Sequence, residues 1–515
     1  MNGCFPSILL LIKRLISSSE MLVSSFRISS ASISLAKSSS IMDFSVVPLM
    51  AASILAFLHS SSFILKLVIL SIQYYTTILL EIFKSLMFTY LLCIVTERFG
   101  KLLYIVCIYS FIVVLMLGFS IVCSGCGSVY PADKPINVCF KCGGALLYKY
   151  DFSKIGFGRD VFSGRFDSFW KYLEFTPLKS SSDIVSLGET FTPIVKLESD
   201  LAYGFHNVFF KDDGRLPTGT FKARGMALAV SVLRGLGVSK FAIPSAGNAA
   251  AALSAYASRA GLEVYAFMPR DAPLSTLREC VYMGAKVYLV DGLINDCALI
   301  VSRLKDKYGW FDVSTNKQPY RFEGYKLMAY EISEQFDWDP PEAIIFPTGG
   351  GEGVIGLWKG FNELIELGWV ERVPRLIVAQ STGCMPLVKA FMDGASEVSE
   401  AWPNASTIAA GLRVPKPYAS YLILRAIRDS GGFALAVSDD EIIDSMKVLA
   451  RRGFFMCPEA AASHAALKHI VDEELLDSSD RILLYFTGSG LKYLDLYDLD
   501  PLKLPLIPKD ASSLP

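Results

Sequence analysis

The polar and apolar positions of the second half of the chain predict a parallel β-sheet. Short apolar runs alternate there with stretches of helix-forming residues and with loops rich in glycine, serine and proline. Such runs are typical of buried strands, and strands that alternate with helices indicate βαβ units. The predicted strands are 240–243, 262–268, 285–290, 343–346, 375–379 and 482–486, and the predicted helices are 221–236, 276–283 and 354–367, with an alanine-rich helix that ends at Ala260.

The N-terminal region has another pattern and begins with a basic, serine-rich stretch. Within residues 1–40, four lysines and arginines stand against a single acid, Glu20. This composition is typical of an organelle transit peptide, although a disordered tail can have it too. We therefore predict a transit peptide over residues 1–42 and a plastid location.

Residues 43–122 are strongly apolar and account for the high mean hydropathy of the chain, +0.41. The runs 44–65 and 102–122 contain no formal charge. Each run meets the criterion of roughly 20 residues for a bilayer-spanning helix. The pattern predicts membrane association through residues 44–122. Translated non-coding sequence is the alternative, because the second run ends directly at Cys123 without a spacer.

Two cysteine pairs follow in the spacing of a zinc ribbon. Cys123 and Cys126 form one C-x2-C turn, Cys139 and Cys142 form the other, and glycine follows each pair. Four thiolates suit tetrahedral zinc and leave no open coordination position, so the predicted zinc site is structural. The module is predicted over residues 123–145, with four free thiols, or a ribbon fold that has lost its ion, as the alternatives.

A lysine at the start of the predicted helix 221–236 is the first candidate for chemistry. Lys222 follows a turn that contains Pro217 and Gly219. The positive end of a helix dipole favours the neutral form of a nearby amine, and a neutral amine can condense with an aldehyde. A single lysine is more often a solvated surface residue, so the candidate depends on what accompanies it.

A glycine run after the predicted strand 343–346 has the features of a phosphate-binding loop. Gly349, Gly350, Gly351 and Gly353 expose backbone N–H groups immediately before a helix. The run also fits the dinucleotide pattern G-x-G-x-x-G, but the next strand ends in Gln380 where that pattern requires an acid, so a nicotinamide cofactor is disfavoured. Because a carboxylate repels phosphate, we expect the Glu352 side chain to point outward.

The lysine stretch 217–225, the small-residue loop 244–250 and the glycine run 349–353 resemble those of the threonine synthase family, within the pyridoxal-phosphate enzymes of fold type II. The resemblance covers roughly residues 123–494 and includes Thr487 after the strand 482–486. It implies a two-domain α/β fold with parallel sheets, similar to the tryptophan synthase β chain. The catalytic region would span 146–500, with a smaller domain at approximately 225–335 inserted in the larger one and a tail at 501–515.

The resemblance also implies a role for each candidate residue. Lys222 would hold pyridoxal phosphate, Asn248 would contact its phenolic oxygen, and Thr487 would face its pyridine nitrogen. The phosphate would lie on Gly349, Gly350, Gly351, Glu352 and Gly353. The substrate would lie on Ser245, Ala246, Gly247 and Lys326, and the cations expected to bind the leaving phosphate are Arg224, Lys326 and Arg413.

The reaction implied is the conversion of O-phospho-L-homoserine and water to L-threonine and phosphate, by a homodimeric enzyme. A dehydratase or β-replacing enzyme of the same fold is one alternative, and a membrane-anchored homologue without catalysis is another. The formal net charge of −1 gives no reason to expect nucleic-acid binding. Only four histidines are present, which leaves little material for a histidine-rich metal site or a serine–histidine–aspartate triad.

Overall fold

The computed structural model describes residues 118–497, 504–507 and 509. The predicted transit peptide, the apolar segments up to residue 117 and most of the tail lie outside this part of the chain. None of the helices in the described part has both the length and the apolar character that a bilayer crossing requires.

A three-stranded antiparallel sheet opens the described region. Its strands are β1 (Phe119–Cys123), β2 (Val129–Tyr130) and β3 (Leu146–Tyr150), in the order β2-β1-β3. In β1, the buried Ile121 pairs with the buried Tyr148 of β3. Residues 119–122, which the sequence analysis assigned to the end of an apolar segment, are therefore part of the cysteine-rich module, and the module extends to residue 150.

A six-stranded sheet forms the centre of the larger part of the molecule. All its neighbouring strands are parallel except β4, which pairs antiparallel with β5 at one edge. The strands are β4 (Ile194–Lys196), β5 (Val208–Asp212), β10 (Ala343–Pro347), β11 (Arg375–Ser381), β12 (Ala434–Val437) and β13 (Ile482–Phe486), in the order β12-β11-β10-β13-β5-β4. Strands β10 and β13 are buried along their whole length, as expected for parallel strands covered on both faces.

A second sheet, parallel throughout, contains four strands. They are β6 (Lys240–Pro244), β7 (Glu263–Pro269), β8 (Lys286–Val290) and β9 (Phe311–Asp312), in the order β8-β7-β6-β9. This sheet comes between β5 and β10 in the chain. The chain thus leaves the larger sheet, completes the smaller one and then returns.

Ten α-helices in the described part surround the sheets. They are α1 (Lys222–Gly235), α2 (Asn248–Arg259), α3 (Leu274–Tyr282), α4 (Ile294–Tyr308), α5 (Tyr320–Gln335), α6 (Glu352–Glu366), α7 (Pro386–Met392), α8 (Ser420–Asp429), α9 (Asp439–Arg451) and α10 (Pro458–Asp472). Helix α5 was not predicted, because it is buried on all sides and carries several charged residues, so it has no single apolar stripe.

Tyr325 on α5 fixes the spacing of three helices. Its phenol ring lies against Gly225 of α1, and its Cβ atom lies against Gly356 of α6. A methyl group at Gly225 would come within 2.5 Å of the ring, and one at Gly356 would overlap the Tyr325 Cβ atom. The glycines therefore allow α1 and α6 to pack directly on either side of α5.

Candidate active site

A cleft lies where the carboxyl ends of strands from both parallel sheets meet. Strand β10 leads into the glycine run, β13 leads into Thr487, and β6 leads into Ser245. Open α/β folds bind ligands at such positions. Residues that follow strands of both sheets line the cleft, among them Lys222, Ser245 and Thr487.

Lys222 is the first residue of α1 and reaches this cleft. The loop before it is held in place by a hydrogen bond from the Phe221 N–H to the Thr487 carbonyl, 2.9 Å long. Within the part of the chain that is described, the Lys222 amine has no hydrogen-bond or ion-pair partner, and it lies 4.1 Å from the centre of the Phe221 ring.

The local environment lowers the pKa of Lys222 to about 8. Burial makes the largest contribution and the positive charge of Arg321 adds to it, whereas the carboxylates of Glu352 and Glu459 act in the opposite direction. A lysine with this pKa has a substantial neutral fraction near neutral pH, as a nucleophilic amine requires.

The glycine run presents a row of unused N–H groups to the cleft. Among the described residues, none of the backbone N–H groups of 349–353 donates a hydrogen bond. Gly351 adopts a left-handed conformation with φ of +81° and precedes the first turn of α6. Unpaired N–H groups together with a helix N-terminus form an anion site, so the run can hold a phosphate.

The expectation that Glu352 points outward is wrong. Its side chain is only 2% exposed and forms an ion pair with the fully buried Arg321. Its Oε1 atom also accepts a hydrogen bond from the Asn316 N–H at 2.9 Å. Because Arg321 neutralises it, the carboxylate is tolerated beside the predicted phosphate site.

Asn248 and the loop before it form a second wall of the cleft. Ser245, Ala246 and Gly247 all line the cleft, and the Ser245 hydroxyl accepts hydrogen bonds from the N–H groups of Gly247 and Ala250, each at 3.1 Å. Asn248 begins α2 and donates from Nδ2 to the Tyr493 hydroxyl at 3.1 Å. The structure thus brings these residues to the same cleft as Lys222, Thr487 and the glycine run.

Thr487 follows β13, the strand next to β10, lines the cleft and faces Cys457. The two side chains are 3.8 Å apart, measured from Sγ to Oγ1, and the Cys457 N–H donates to the Gly488 carbonyl at 3.0 Å. Burial raises the pKa of the Cys457 thiol well above its usual value. The thiol is therefore neutral beside the threonine.

Sequence reasoning missed two polar residues of the cleft, Glu459 and Tyr493. The Tyr493 hydroxyl donates to Glu459 Oε1 at 2.5 Å, and both residues are buried. Glu459 lies in the stretch Pro-Glu-Ala-Ala, to which no function was assigned from the sequence, and Tyr493 follows the last predicted strand by several residues in a segment without a recognisable pattern. The one signal in the sequence that could have indicated a cleft residue was the carboxylate of Glu459 near the start of a helix.

Lys326 does not reach the cleft, and its predicted role in substrate binding is wrong. It is fully buried, with its amine 2.8 Å from Glu323 and 2.9 Å from Glu363. The same amine lies 3.9 Å from the centre of the Tyr150 ring in β3. Lys359 completes this buried cluster, which joins the cysteine-rich module to α5 and α6.

Arg224 is also excluded as a ligand for the leaving phosphate. Its guanidinium is fully buried and donates to Asp213 at 2.7 Å and to Glu331 at 2.6 Å. Arg413, the third candidate, lies next to cleft residues and forms a bidentate pair with Asp271 at 2.8 and 2.9 Å. It is the one predicted cation that remains near the cleft.

The four cysteines of the N-terminal module converge on one point. All their sulfur atoms lie within 4.8 Å of one another, and Cys123 and Cys142 are 3.4 Å apart. Four ligands at about 2.3 Å from a tetrahedral zinc ion would be separated by about 3.8 Å. The donor set therefore fits zinc in both chemistry and spacing.

Known proteins are similar to this chain over most of its described part. A sequence profile described as "Pyridoxal-phosphate dependent enzyme" matches residues 185–488. Threonine synthase from Methanocaldococcus jannaschii is 37% identical over 378 residues, which make up 72% of this chain and 92% of that protein. Threonine synthase from Methanosarcina acetivorans is 33% identical over 374 residues, with coverage of 72% and 91%.

Solved structures share the fold at lower identity. Diaminopropionate ammonia lyase from Escherichia coli has a TM-score of 0.53 and 18% identity, and the match covers 62% of this chain and 92% of that one. Maize serine racemase has a TM-score of 0.52 and 23% identity, with coverage of 59% and 90%. These similarities concern the fold alone.

Proposed function

The chain belongs to the family of pyridoxal-phosphate dependent enzymes, and we propose that it is a threonine synthase, which converts O-phospho-L-homoserine and water to L-threonine and phosphate. The predicted fold type II architecture and lyase class agree with this membership. Several threonine synthases at 29–37% identity, matched over most of the chain, support the specific reaction.

The observation that carries the proposal is the position of Lys222 in the cleft. Its amine has no partner among the described residues and a pKa lowered to about 8, chiefly by burial, and the cleft is also lined by a row of free N–H groups. A free amine and an anion site in one cleft are what an aldehyde cofactor with a phosphate group requires.

The residues present fit pyridoxal phosphate. Lys222 would hold its aldehyde carbon, residues 349–353 would hold its phosphate, and Thr487 would face its ring nitrogen. The buried Oδ1 atom of Asn248 and Oγ1 atom of Thr220 have no hydrogen-bond partner among the described residues, as expected of groups that contact a ligand. When bound, the cofactor supplies the electron sink that makes protons beside the amino group of the substrate removable.

The side chains of this protein then bind, orient and transfer protons. The Lys222 Nζ atom, with its lowered pKa, can both accept and release a proton near neutral pH. The N-terminus of α2 and the Ser245 hydroxyl offer donors for the substrate carboxylate, whereas the Gly247 N–H already donates to Ser245 Oγ. The rings of Phe221 and Tyr325 lie beside the amine, with their centres 4.1 and 5.9 Å from Nζ, and cover part of its surface.

The test is an assay of the purified protein with O-phospho-L-homoserine, in which L-threonine and 2-oxobutyrate are both measured. We expect threonine and phosphate in equal amounts, and loss of both products in Lys222→Ala. A protein that forms no threonine but converts added L-threonine to 2-oxobutyrate and ammonia would instead be a dehydratase. The visible absorbance of the bound cofactor, lost in Lys222→Ala, separates a missing cofactor from a wrong substrate.

We also propose that Cys123, Cys126, Cys139 and Cys142 bind one structural zinc ion. The close approach of the four sulfur atoms supports this. Metal analysis of the purified protein should give one zinc per chain. The Cys126→Ser variant should hold less metal, and an unchanged zinc content would contradict the proposal.

A plastid location, a homodimer and membrane association through residues before 118 are further proposals. The basic, serine-rich composition of residues 1–40 and the uncharged run 44–65 support the first and the third. Fractionation of cells, with sequencing of the mature N-terminus, tests both. Light scattering of the purified enzyme tests the homodimer.

A further inference from the structure

Glu459 has one oxygen that is fully used and one that is free. It is the second residue of α10, lines the cleft and is only 6% exposed. Its Oε1 atom accepts from the Tyr493 hydroxyl at 2.5 Å and from the Gly411 N–H at 2.7 Å. Its Oε2 atom is buried and has no hydrogen-bond partner in the part of the chain described here.

A buried carboxylate oxygen without a donor is rare in folded proteins, because the lost hydration is not replaced. Among the described residues, two carboxylates line the cleft, those of Glu352 and Glu459. Glu352 is paired with Arg321, whereas Glu459 forms no ion pair with any described residue. The free oxygen therefore marks a place where a ligand can supply a hydrogen-bond donor.

The negative charge of Glu459 restricts which group of a ligand can lie there. A carboxylate attracts a hydroxyl, a water molecule or an ammonium group and repels a phosphate. In the proposed reaction, the phosphate of the substrate must thus lie away from Glu459. The product differs from its precursor in carrying a β-hydroxyl group, which is such a donor.

We propose that Glu459 binds the β-hydroxyl group of L-threonine through Oε2. In the reaction, the same oxygen holds the water molecule that supplies this hydroxyl group. The inference rests on the proposed function. Glu459 is then a specificity-determining residue of the cleft. It recognises the hydroxyl of the amino acid rather than the cofactor.

The surroundings of Glu459 hold its carboxylate in one orientation. A methyl group at Gly411 would lie 2.7 Å from Oε1, so this position must stay a glycine for the contact to form. The Tyr493 hydroxyl donates its hydrogen bond to Glu459, so its oxygen acts as the acceptor for the hydrogen bond from Asn248 Nδ2. A carboxylate fixed before the ligand arrives loses little freedom on binding, which favours selective recognition.

The experiment compares two amino acids that differ in the hydroxyl group. L-Threonine and L-2-aminobutyrate are titrated into the cofactor-loaded enzyme, and binding is followed by the change in visible absorbance of the bound cofactor. The unchanged enzyme should prefer threonine by roughly tenfold to a hundredfold, the usual contribution of a hydrogen bond to a charged group. Glu459→Gln should lose most of this preference, while its affinity for L-2-aminobutyrate stays close to that of the unchanged enzyme.

Glu366→Gln is the matched control, because Glu366 is an exposed carboxylate at the far end of α6. It should retain the full preference for threonine. If Glu459→Gln fails to take up the cofactor, Glu459→Asp replaces it. Asp withdraws the carboxylate by one methylene group and should reduce the preference at least about threefold.

The inference would be overturned if the unchanged enzyme showed no preference for threonine. It would also be overturned if both Glu459 variants kept the full preference. Failure of the proposed function looks different. An enzyme that forms no threonine from O-phospho-L-homoserine, yet shows a hydroxyl preference that depends on Glu459, would refute the reaction and leave the hydroxyl site intact.

Discussion

Replacement of Gly351 by alanine should destabilise the protein and weaken cofactor binding more than the same replacement at the other end of the same helix. Gly351 precedes α6 with φ of +81°, and Gly368 follows α6 with φ of +69°. Both positions have the left-handed conformation that costs an alanine about 1–2 kcal/mol. This shared strain makes Gly368→Ala the matched control.

The two sites differ in the space available to a methyl group. At Gly351 it would lie 2.5 Å from Cγ1 of Ile423 and closer still to Cδ1, whereas at Gly368 no atom of a described residue lies within 4 Å. Overpacking of this kind costs about 1–3 kcal/mol. We therefore expect Gly351→Ala to lose about 2–5 kcal/mol of unfolding free energy and Gly368→Ala about 1–2 kcal/mol.

Urea unfolding of the cofactor-free protein measures these losses, and titration with pyridoxal phosphate measures the affinity. Only Gly351→Ala should reduce the affinity, because it displaces the N–H groups of the predicted phosphate site. Ile423→Val removes the nearest methyl group, so the double variant should be less destabilised than the sum of the single variants. Equal losses at Gly351 and Gly368, or strict additivity with Ile423→Val, would refute the reasoning.

Three further predictions concern Lys222, Lys326 and Tyr421. Burial lowers the pKa of Lys222 from 10.5 to about 8, so between these values the unfolded chain binds more protons and the stability of the cofactor-free protein rises with pH. Lys222→Met should thus be more stable than the unchanged protein near pH 7, by up to about 3 kcal/mol, with a difference that shrinks towards pH 10 in urea titrations; a constant difference would contradict the shift. Lys326→Met leaves Glu323 and Glu363 with one buried cation fewer and should cost about 3–5 kcal/mol of stability with an unchanged KM, whereas a raised KM without a loss of stability would restore its role in substrate binding. The Tyr421 hydroxyl forms a hydrogen bond with Ser124 Oγ at 2.7 Å, so Tyr421→Phe should lower the unfolding free energy by about 1–2 kcal/mol and speed the loss of metal to a chelator. An unaltered rate of metal release would show that this contact does not stabilise the cysteine-rich module.

Local sequence patterns were sufficient for the parts of the cleft that follow directly from a strand. The glycine run, Thr487 and the Ser245 loop each come after a buried apolar strand, and parallel strands bring their carboxyl ends to the same edge. The predicted strand and helix bounds differ from the observed ones by two residues or fewer. The family prediction drawn from these motifs is confirmed, while the individual cofactor contacts stay predictions.

Predictions about the direction of charged side chains failed where the partner is distant in sequence. Glu352 turns inward because of Arg321, and Lys326 is buried because Glu363 lies on the neighbouring helix. Likewise Arg224 is held by Glu331, 107 positions further along the chain. A single sequence contains no signal for such pairs, since each residue alone has the composition of a solvated surface.

Tyr325 contacts Gly225 with its ring and Gly356 with its Cβ atom, which limits how far α1 and α6 can move relative to each other. Helix α1 carries the reactive amine and α6 carries the phosphate loop, and both are in van der Waals contact with the same aromatic side chain. Close-packed interiors resist sliding, so the distance between amine and phosphate loop is set before the cofactor arrives. The two groups that would anchor the cofactor are therefore held at a set separation by the protein itself, so binding need not spend free energy on bringing them together.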